Sequence, residues 1–196
     1  MAIKSRRSQL GQSIVEIAIA TPVLVALLLG AFDTAVLVSD KVIAGAAARQ
    51  GARLGAELGG TITNTIVPAM TLPEADAYVT RNVLAVAKAM NYSIITDIYI
   101  YTPSAANGDL AVNGAGTPTG GDTFDWFKVT GTPGTYTVQP PTYGNGGLTL
   151  DKRIQVPPGE TPIGVKLRWS YAPPTGLNIN VVLTEYAVFL AAPVIP

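Results

Sequence analysis

A long apolar run near the N terminus constrains this chain more than any other feature of its sequence. Residues 17–38 read IAIATPVLVALLLGAFDTAVLV and contain one charged side chain, Asp33. As an α-helix this run spans roughly 33 Å, enough to cross a hydrocarbon core of about 30 Å. Lys4, Arg6 and Arg7 lie just before it, which predicts a cytoplasmic N terminus and an extracytoplasmic C-terminal part. We therefore expect a single-pass protein of the cytoplasmic membrane.

The composition limits the chemistry that is open to the chain. Its 196 residues include no cysteine and no histidine, which removes disulfides, the usual zinc ligands and the commonest general acid and base. Charged residues make up only 13%, against roughly 25% in typical soluble domains, which points to a membrane or to burial between subunits. Basic and acidic residues balance at 13 each. We expect no enzyme, cofactor, metal site or nucleic-acid partner, and we assign no catalytic residue.

The residues ahead of the apolar run come in an unusual order. A basic leader ends at Gly11, polar Gln12 and Ser13 follow, and Glu16 comes just before the apolar core. An ordinary secretory signal has a short apolar core that is closed by a small-residue cleavage site. This order instead resembles the signals of type IV pilin-like proteins, in which a prepilin peptidase cuts after a glycine and leaves the apolar helix in the mature protein. The resemblance implies cleavage between Gly11 and Gln12.

Glu16 is an acid at the mouth of a membrane helix. An unpaired acid at mid-membrane costs roughly 2.5–3.5 kcal/mol, so it usually has a partner or lies near the interface. Cleavage would create a cationic α-amino group at Gln12, about 6 Å along the helix from Glu16. The amine of one subunit would neutralise Glu16 of a neighbour only at the correct stagger, which would make the carboxylate a register device. The alternative is that Glu16 reaches the interface of an ordinary anchor and has no further role.

The helix is expected to continue beyond the membrane. The Ala-rich stretch AGAAARQGARLGAEL, residues 44–58, favours one helix from about residue 12 to 58, roughly 70 Å long. Small residues recur there at spacings of three and four, which places them on one face. They are Gly45, Ala48, Ala52, Gly55 and Gly59. Such a strip suits packing against a neighbouring helix or, equally, against the chain's own C-terminal domain. Asp33 is either a second pairing site or exposed at the membrane interface.

The stretch GQSIVEIAIATPVLVALLLGAFD, followed by AAARQGARLGA, resembles the TadE family, the pseudopilins of tight adherence (Tad, or Flp-type) pili. The likeness lies in the glycine–glutamate processing site, the early proline, the aspartate near the end of the apolar helix and the alanine–arginine stretch after it. It covers about the first 60 residues, and Gln50 departs from it where an acid is common. The resemblance implies four kinds of partner: prepilin peptidase, other pilin subunits, the inner-membrane pilus assembly machinery and membrane lipid.

The rest of the chain predicts an α+β domain. Pro73 and Glu74 mark the start of a helix whose apolar face holds Tyr78, Val79, Val83, Val86 and Met90. Alternating β-branched and aromatic residues predict a strand over about residues 92–102, and further strands are predicted at FDWFKVTG, GLTLDKRIQV, PIGVKLRWSYA and LNINVVLTEYAVFL. The expected organisation is a leader at 1–11, a transmembrane and stalk helix at 12–60, and an extracytoplasmic domain at 61–196. That domain would combine one helix with a four- to five-stranded antiparallel sheet.

Two stretches rich in Gly, Pro, Thr and Asn, residues 103–123 and 131–147, are predicted to be long exposed loops. Four aromatic residues would suit glycan stacking, although aromatics in strands are more often core. They are Trp126, Tyr136, Tyr143 and Trp169. Four acids have no EF-hand spacing for calcium and are expected to be solvated. They are Asp109, Asp122, Asp125 and Asp151.

The resemblance and the residues together predict a minor pilin or pseudopilin of a type IV, Tad-like pilus. It would be cut after Gly11 and assembled by helix packing, and it would contribute to pilus biogenesis and surface adhesion. It would lie first in the cytoplasmic membrane and then in the pilus at the cell surface. The alternative is a single-pass membrane-anchored extracellular binding or adhesin module whose helix is only an anchor.

Overall fold

The computed structural model describes residues 6–58, 72–104, 107–148, 161–176 and 180–190, with side chains described from residue 12 in the first range and from residue 74 in the second. Two helices and six strands lie in these ranges. In chain order they are α1 (Arg6–Glu57), α2 (Leu72–Ala87), β1 (Ser93–Thr102), β2 (Thr123–Thr130), β3 (Thr137–Val138), β4 (Thr142–Gly144), β5 (Pro162–Tyr171) and β6 (Val181–Leu190). The predicted α+β class with a long N-terminal helix is confirmed.

Helix α1 is a single helix of 52 residues that passes through Pro22. Two threonine hydroxyls in its apolar part donate hydrogen bonds to backbone carbonyls four residues earlier. Thr21 donates to the Ile17 carbonyl at 2.7 Å, and Thr34 donates to the Gly30 carbonyl at 2.8 Å. Because these hydroxyls are satisfied within the helix, they add no unpaired polar group to an apolar surface. The predicted continuous helix is confirmed.

The sheet is antiparallel throughout, in the order β3-β2-β1-β5-β6, and β4 also pairs with β2. The predicted strands at β1, β2, β5 and β6 are confirmed; residues 177–179 of the predicted last strand lie outside the described residues. The predicted strand at GLTLDKRIQV falls largely outside the described residues. The stretch 131–147 was expected to be a loop and instead contains β3 and β4. These strands have two and three residues, too few to show an alternating pattern in the sequence.

One face of the sheet packs against the outer half of α1 and against α2. The main core there joins alanines of α1 to the aliphatic side of α2 and to the inward residues of β1 and β5, including the fully buried Trp169. The buried side of α2 carries Ala75, Val79 and Val83, whereas Tyr78 is exposed. The predicted apolar face was therefore wrong at Tyr78, because Ala75 lies on the buried side of the helix in its place.

The other face of the sheet is covered by the stretch between β1 and β2. Leu110 of this stretch is fully buried together with Tyr99 and Tyr101 of β1. The Tyr99 hydroxyl donates a hydrogen bond of 2.5 Å to the Gly116 carbonyl, and the Tyr101 hydroxyl donates one of 2.7 Å to the Gly108 carbonyl. Lys166 of β5 reaches the same stretch. The predicted loop over 103–123 is confirmed in that its described part forms no helix or named strand before Thr123 and is exposed at most positions. Leu110, Gly116 and Asp122 are nevertheless buried, because polar side chains of the sheet need partners and this stretch supplies them.

Candidate functional site

The inner part of α1 is an uncovered apolar surface. Every residue from 12 to 32 is exposed, including Ile14, Leu27 and Phe32. We call residues 12–32 the apolar rod. Within α1 an 18-residue window reaches a mean hydropathy of 2.3 and buries none of its surface inside the chain. By length and composition the helix can cross a membrane, and a surface of this size is covered in a functional protein by lipid or by other chains.

Glu16 is the one charged residue of the apolar rod, which contains no lysine or arginine. Its carboxylate Oε1 accepts a hydrogen bond of 3.1 Å from Nε2 of Gln12, one helical turn earlier. Glu16 also borders a shallow groove of about 710 Å³ along the rod, lined otherwise by neutral residues such as Ile17, Val23 and Leu27. Gly11 lies in the backbone of α1 just ahead of this pair. The chain thus offers the carboxylate an amide donor and no cation from within the rod.

The small-residue strip on the outer half of α1 is occupied by the chain's own domain. Ala48 and Ala52 are fully buried, Gly55 is buried and Gly45 is partly exposed; Gly59 lies outside the described residues. A Cβ added to Gly55 would lie 3.0 Å from Cγ2 of Ile163 on β5. The part of α1 that remains open to a second chain is therefore mainly the apolar rod.

Gly51 is a point of close approach between the two helices, and it was not predicted from the sequence. A Cβ at this position would lie 2.5 Å from Cγ2 of Val83 on α2 and 3.2 Å from Cγ1 of Val165 on β5. Helix α2 can approach α1 closely because α1 presents no side chain here. The signal was available, since Gly51 lies beside Ala52 and one turn before Gly55.

Two aspartates of α1, which we call the docking aspartates, fix the C-terminal domain to the helix. Asp40 is almost fully buried and accepts hydrogen bonds from the Ser93 hydroxyl at 2.6 Å and from the backbone N–H groups of Asn91 and Tyr92 at 3.3 Å each. These donors lie just before and at the start of β1, where backbone N–H groups need acceptors. Asp40 was not predicted from the sequence, although it follows Asp33 by seven residues on the same side of the helix.

Asp33, the other docking aspartate, lies at the outer end of the apolar rod. It is 9% exposed, so of the two alternatives that the sequence left open for Asp33, exposure at the membrane interface is wrong. Its side chain accepts a hydrogen bond from the Thr175 hydroxyl, and its backbone carbonyl accepts one of 2.9 Å from the Tyr171 phenol. Burial raises the pKa of Tyr171, and the carboxylates of Asp33 and Asp40 add to that rise. The turn between β5 and β6 is therefore held against α1.

The aromatic residues that were considered for glycan stacking are mostly structural. Trp169 is fully buried, and Trp126 stacks on Tyr99 with ring centroids 6.0 Å apart and donates to Asp97. The Tyr136 phenol oxygen accepts a hydrogen bond from the Ile95 backbone at 3.2 Å. Tyr143 is the exposed member of the set.

The acids that were expected to be solvated are engaged instead. Asp109 accepts a hydrogen bond from Lys166 at 2.8 Å, Asp122 from the Ser104 backbone at 2.8 Å and Asp125 from the Leu148 backbone at 2.9 Å. Asp151 lies outside the described residues. Within the described ranges, no group of three or more acids is arranged to hold a metal ion.

A second open site lies on the domain, between α2 and the stretch that leads from β3 to β4. It is a groove of about 680 Å³ with largely apolar walls that include Leu84, Phe127 and Pro140. Arg81 of α2 and Lys88, directly after the end of α2, also line the groove; both are exposed, and neither makes a hydrogen bond or ion pair with a described residue. None of the described residues that line the groove is acidic.

Residues 11–53 match the family model TadE, described as TadE-like protein. The resemblance that the sequence predicted is confirmed over this segment. No curated protein and no solved structure matches the chain. The matched segment contains the apolar rod, Glu16 and both docking aspartates, and it ends before α2.

Proposed function

We propose that this chain is a minor pilin or pseudopilin of a tight-adherence pilus, held in the cytoplasmic membrane and then in the filament by its apolar rod. The observation that carries the proposal is the division of α1. Its outer half is packed under the C-terminal domain, while all of residues 12–32 are exposed. The TadE-like match over residues 11–53 supports the same conclusion.

Glu16 favours helix packing over a purely lipid environment. Lipid tails solvate a uniformly apolar helix, but they provide no hydrogen-bond donor or cation for a carboxylate. A neighbouring subunit cut after Gly11 would offer its new α-amino group at Gln12, which is mostly cationic at neutral pH. The two charges would meet only when the rods are correctly staggered. Glu16 therefore sets the register between subunits.

The docking aspartates extend this register from the rod to the domain. Asp33 and Asp40 tie the β5–β6 turn and the start of β1 to α1. A shift of one rod along another therefore moves the whole domain by the same amount. The contacts between the apolar rods would therefore also set the spacing between the domains along the filament.

The proposed pathway follows from the orientation of the chain. The basic leader keeps the N terminus cytoplasmic, where prepilin peptidase cuts between Gly11 and Gln12, and the domain faces outward. Lipid surrounds the rod first. The inner-membrane assembly machinery then transfers the subunit from lipid to the other pilin subunits.

The mass of the mature protein tests this proposal. Protein isolated from membranes and from sheared filaments is expected to begin at Gln12. Gly11→Val should keep its leader, whereas Gly30→Val, where an added Cβ meets nothing within 4 Å, should mature normally. A wild-type protein that keeps its leader, or that loses the whole apolar rod, contradicts the proposal.

The groove on the domain favours a second function, that of a membrane-anchored extracellular binding or adhesin module. Apolar walls beside two cations that have no ion pair among the described residues, Arg81 and Lys88, fit an acidic peptide with apolar side chains. The test is a titration with a fluorescent peptide of alternating aspartate and leucine. Changing Arg81 and Lys88 to glutamate should weaken binding at least tenfold, while Arg49→Glu, an exposed cation elsewhere on the chain, should not. Equal binding by all three proteins contradicts this function.

A further inference from the structure

We propose that the hydrogen bond from Gln12 to Glu16 protects the mature N terminus from cyclising to pyroglutamate. This inference rests on the proposed cleavage after Gly11, which makes Gln12 the first residue. Glu16 would then have a role within its own subunit before it contacts a neighbouring subunit. It also identifies Gln12 as a site where an unwanted covalent change would stop assembly.

The reaction needs only the residue itself. The free α-amine nitrogen of an N-terminal glutamine attacks the Cδ carbon of its own side-chain amide. A C–N bond forms and closes a five-membered lactam, the Cδ–Nε2 bond breaks, and Nε2 leaves as ammonia with a proton from the amine. In the uncut precursor this nitrogen is part of the peptide bond to Gly11, so the hazard begins with cleavage.

Cyclisation would remove the charge on which assembly depends. A lactam nitrogen is not basic, so a cyclised subunit could no longer present a cation to the Glu16 of its neighbour. The apolar rod has no lysine or arginine to replace it. Only subunits with an open Gln12 could then enter the proposed register.

The geometry of the pair opposes ring closure. Nε2 of Gln12 lies 3.1 Å from Oε1 of Glu16, which stands four residues further along α1. The side chain of Gln12 therefore extends toward the next helical turn, away from its own backbone nitrogen. To cyclise, it must fold back and release Glu16, and the atom that donates the hydrogen bond is the one that would leave as ammonia.

The environment sets the size of the protection. In water, a pair of this kind between residues four apart on a helix shifts an equilibrium only about twofold. At the edge of a bilayer less water competes for the donor than in bulk solution, and a hydrogen bond to a charged acceptor is about twice as strong as a neutral one. We therefore expect roughly tenfold slower cyclisation in a bilayer, where tenfold corresponds to about 1.4 kcal/mol.

The experiment measures the loss of ammonia from Gln12 in reconstituted protein. A version in which a factor Xa site replaces residues 1–11 yields the Gln12 terminus without prepilin peptidase. After cleavage in lipid bilayers, mass spectrometry of the N-terminal peptide follows cyclisation with time. Glu16→Ala is expected to cyclise roughly tenfold faster than the parent. Glu16→Gln, which keeps a neutral acceptor, should fall between them, and Glu57→Ala, which removes an acid at the far end of α1, should match the parent.

Two results would overturn the inference. One is an equal rate of cyclisation in the parent and in both Glu16 variants; the other is native protein from cells in which Gln12 is already fully cyclised. If Glu16→Ala fails to insert into bilayers, Glu16→Gln supplies the comparison. A native chain that keeps its leader would refute the proposed cleavage, while the factor Xa protein would still report the rate, so the two failures can be told apart.

Discussion

The carboxylate of Asp40 on α1 accepts a hydrogen bond of 2.6 Å from the hydroxyl of Ser93, 53 residues later at the start of β1. The same carboxylate receives the backbone N–H groups of Asn91 and Tyr92. One buried acid thus joins the membrane helix to the sheet. This contact adds to the core packing of the α1 alanines against the sheet.

Replacing Asp40 is expected to loosen that joint. Asp40→Ala leaves the buried Ser93 hydroxyl and two partly buried backbone N–H groups without their acceptor, which should cost roughly 2–4 kcal/mol of unfolding free energy. Urea unfolding in detergent, followed by tryptophan fluorescence, measures the loss. Ser39→Ala, at the exposed neighbouring residue, should stay within about 0.5 kcal/mol. Equal stability of the two variants would show that Asp40 does not hold the domain.

A pair of glycine variants tests the contact between the two helices. Gly51→Ala places a Cβ 2.5 Å from Val83, so it should destabilise the protein by roughly 1–3 kcal/mol despite its better helix propensity. Gly45→Ala meets only the flexible end of Arg49, at 3.5 Å, and should be neutral or up to about 1 kcal/mol stabilising. Thermal unfolding of both proteins gives the comparison. If Gly51→Ala proved as stable as Gly45→Ala, the close approach of α2 would be disproved.

Lys166 is expected to hold the stretch between β1 and β2 against the sheet. Its ammonium is nearly fully buried and donates to Asp109 at 2.8 Å and to the Leu110 carbonyl at 2.7 Å. Lys166→Met should cost roughly 1–3 kcal/mol, less than for a fully buried pair because Asp109 is partly exposed. Hydrogen exchange at Leu110 should become faster, whereas Lys88→Met should change nothing. Unchanged exchange in Lys166→Met would refute this role.

High pH should destabilise the domain through its buried tyrosines. Burial raises the pKa of Tyr101, and the Asp109 carboxylate nearby adds to the rise. In the unfolded chain the phenol ionises near its ordinary value of about 10. The stabilisation from Tyr101 is therefore complete below about pH 10 and is lost as the pH rises above it, because the unfolded state then binds fewer protons than the folded state.

Unfolding free energies measured by urea between pH 8 and pH 12 check that sign. Stability should fall with pH above about 10, and Tyr101→Phe should fall less steeply because one buried phenol is gone. Tyr78→Phe, at an exposed tyrosine of α2, should keep the wild-type slope. A wild-type stability that rises with pH in this range would contradict the argument.

The sequence was sufficient to predict the long helix and the four long strands because their patterns are local. The apolar run before Asp33 and the alternation in SIITDIYIYT each have one structural solution. The packing of the small-residue strip was left open between two partners, because the spacing of Ala48 and Ala52 places them on a face without saying what covers it. In the structure, the chain's own C-terminal domain packs against that face.

The contacts that the sequence could not provide join distant residues. Asp40 and Ser93 are 53 residues apart, and Lys166 and Asp109 are 57 apart, so no local pattern pairs them. Acids such as Asp109 and Asp122 stood in Gly-rich stretches that are usually solvated, and only the tertiary fold gives them donors. Glu16 could be identified from the sequence because a single charge beside an apolar run needs no tertiary contact to be recognised.

The central claim is that Glu16 sets the register between subunits, and filament incorporation of a Glu16 variant tests it most directly. The measurement is the amount of Glu16→Ala protein in sheared filaments divided by the amount in the membrane fraction, in cells that produce a working pilus. Glu57→Ala is the matched control, and mass spectrometry verifies the mature N terminus of both proteins. We predict that Glu16→Ala reaches the membrane and is cut at Gln12 as normal, but that its filament share falls at least tenfold, about 1.4 kcal/mol, while Glu57→Ala assembles normally. Equal filament shares for the two variants would contradict the claim.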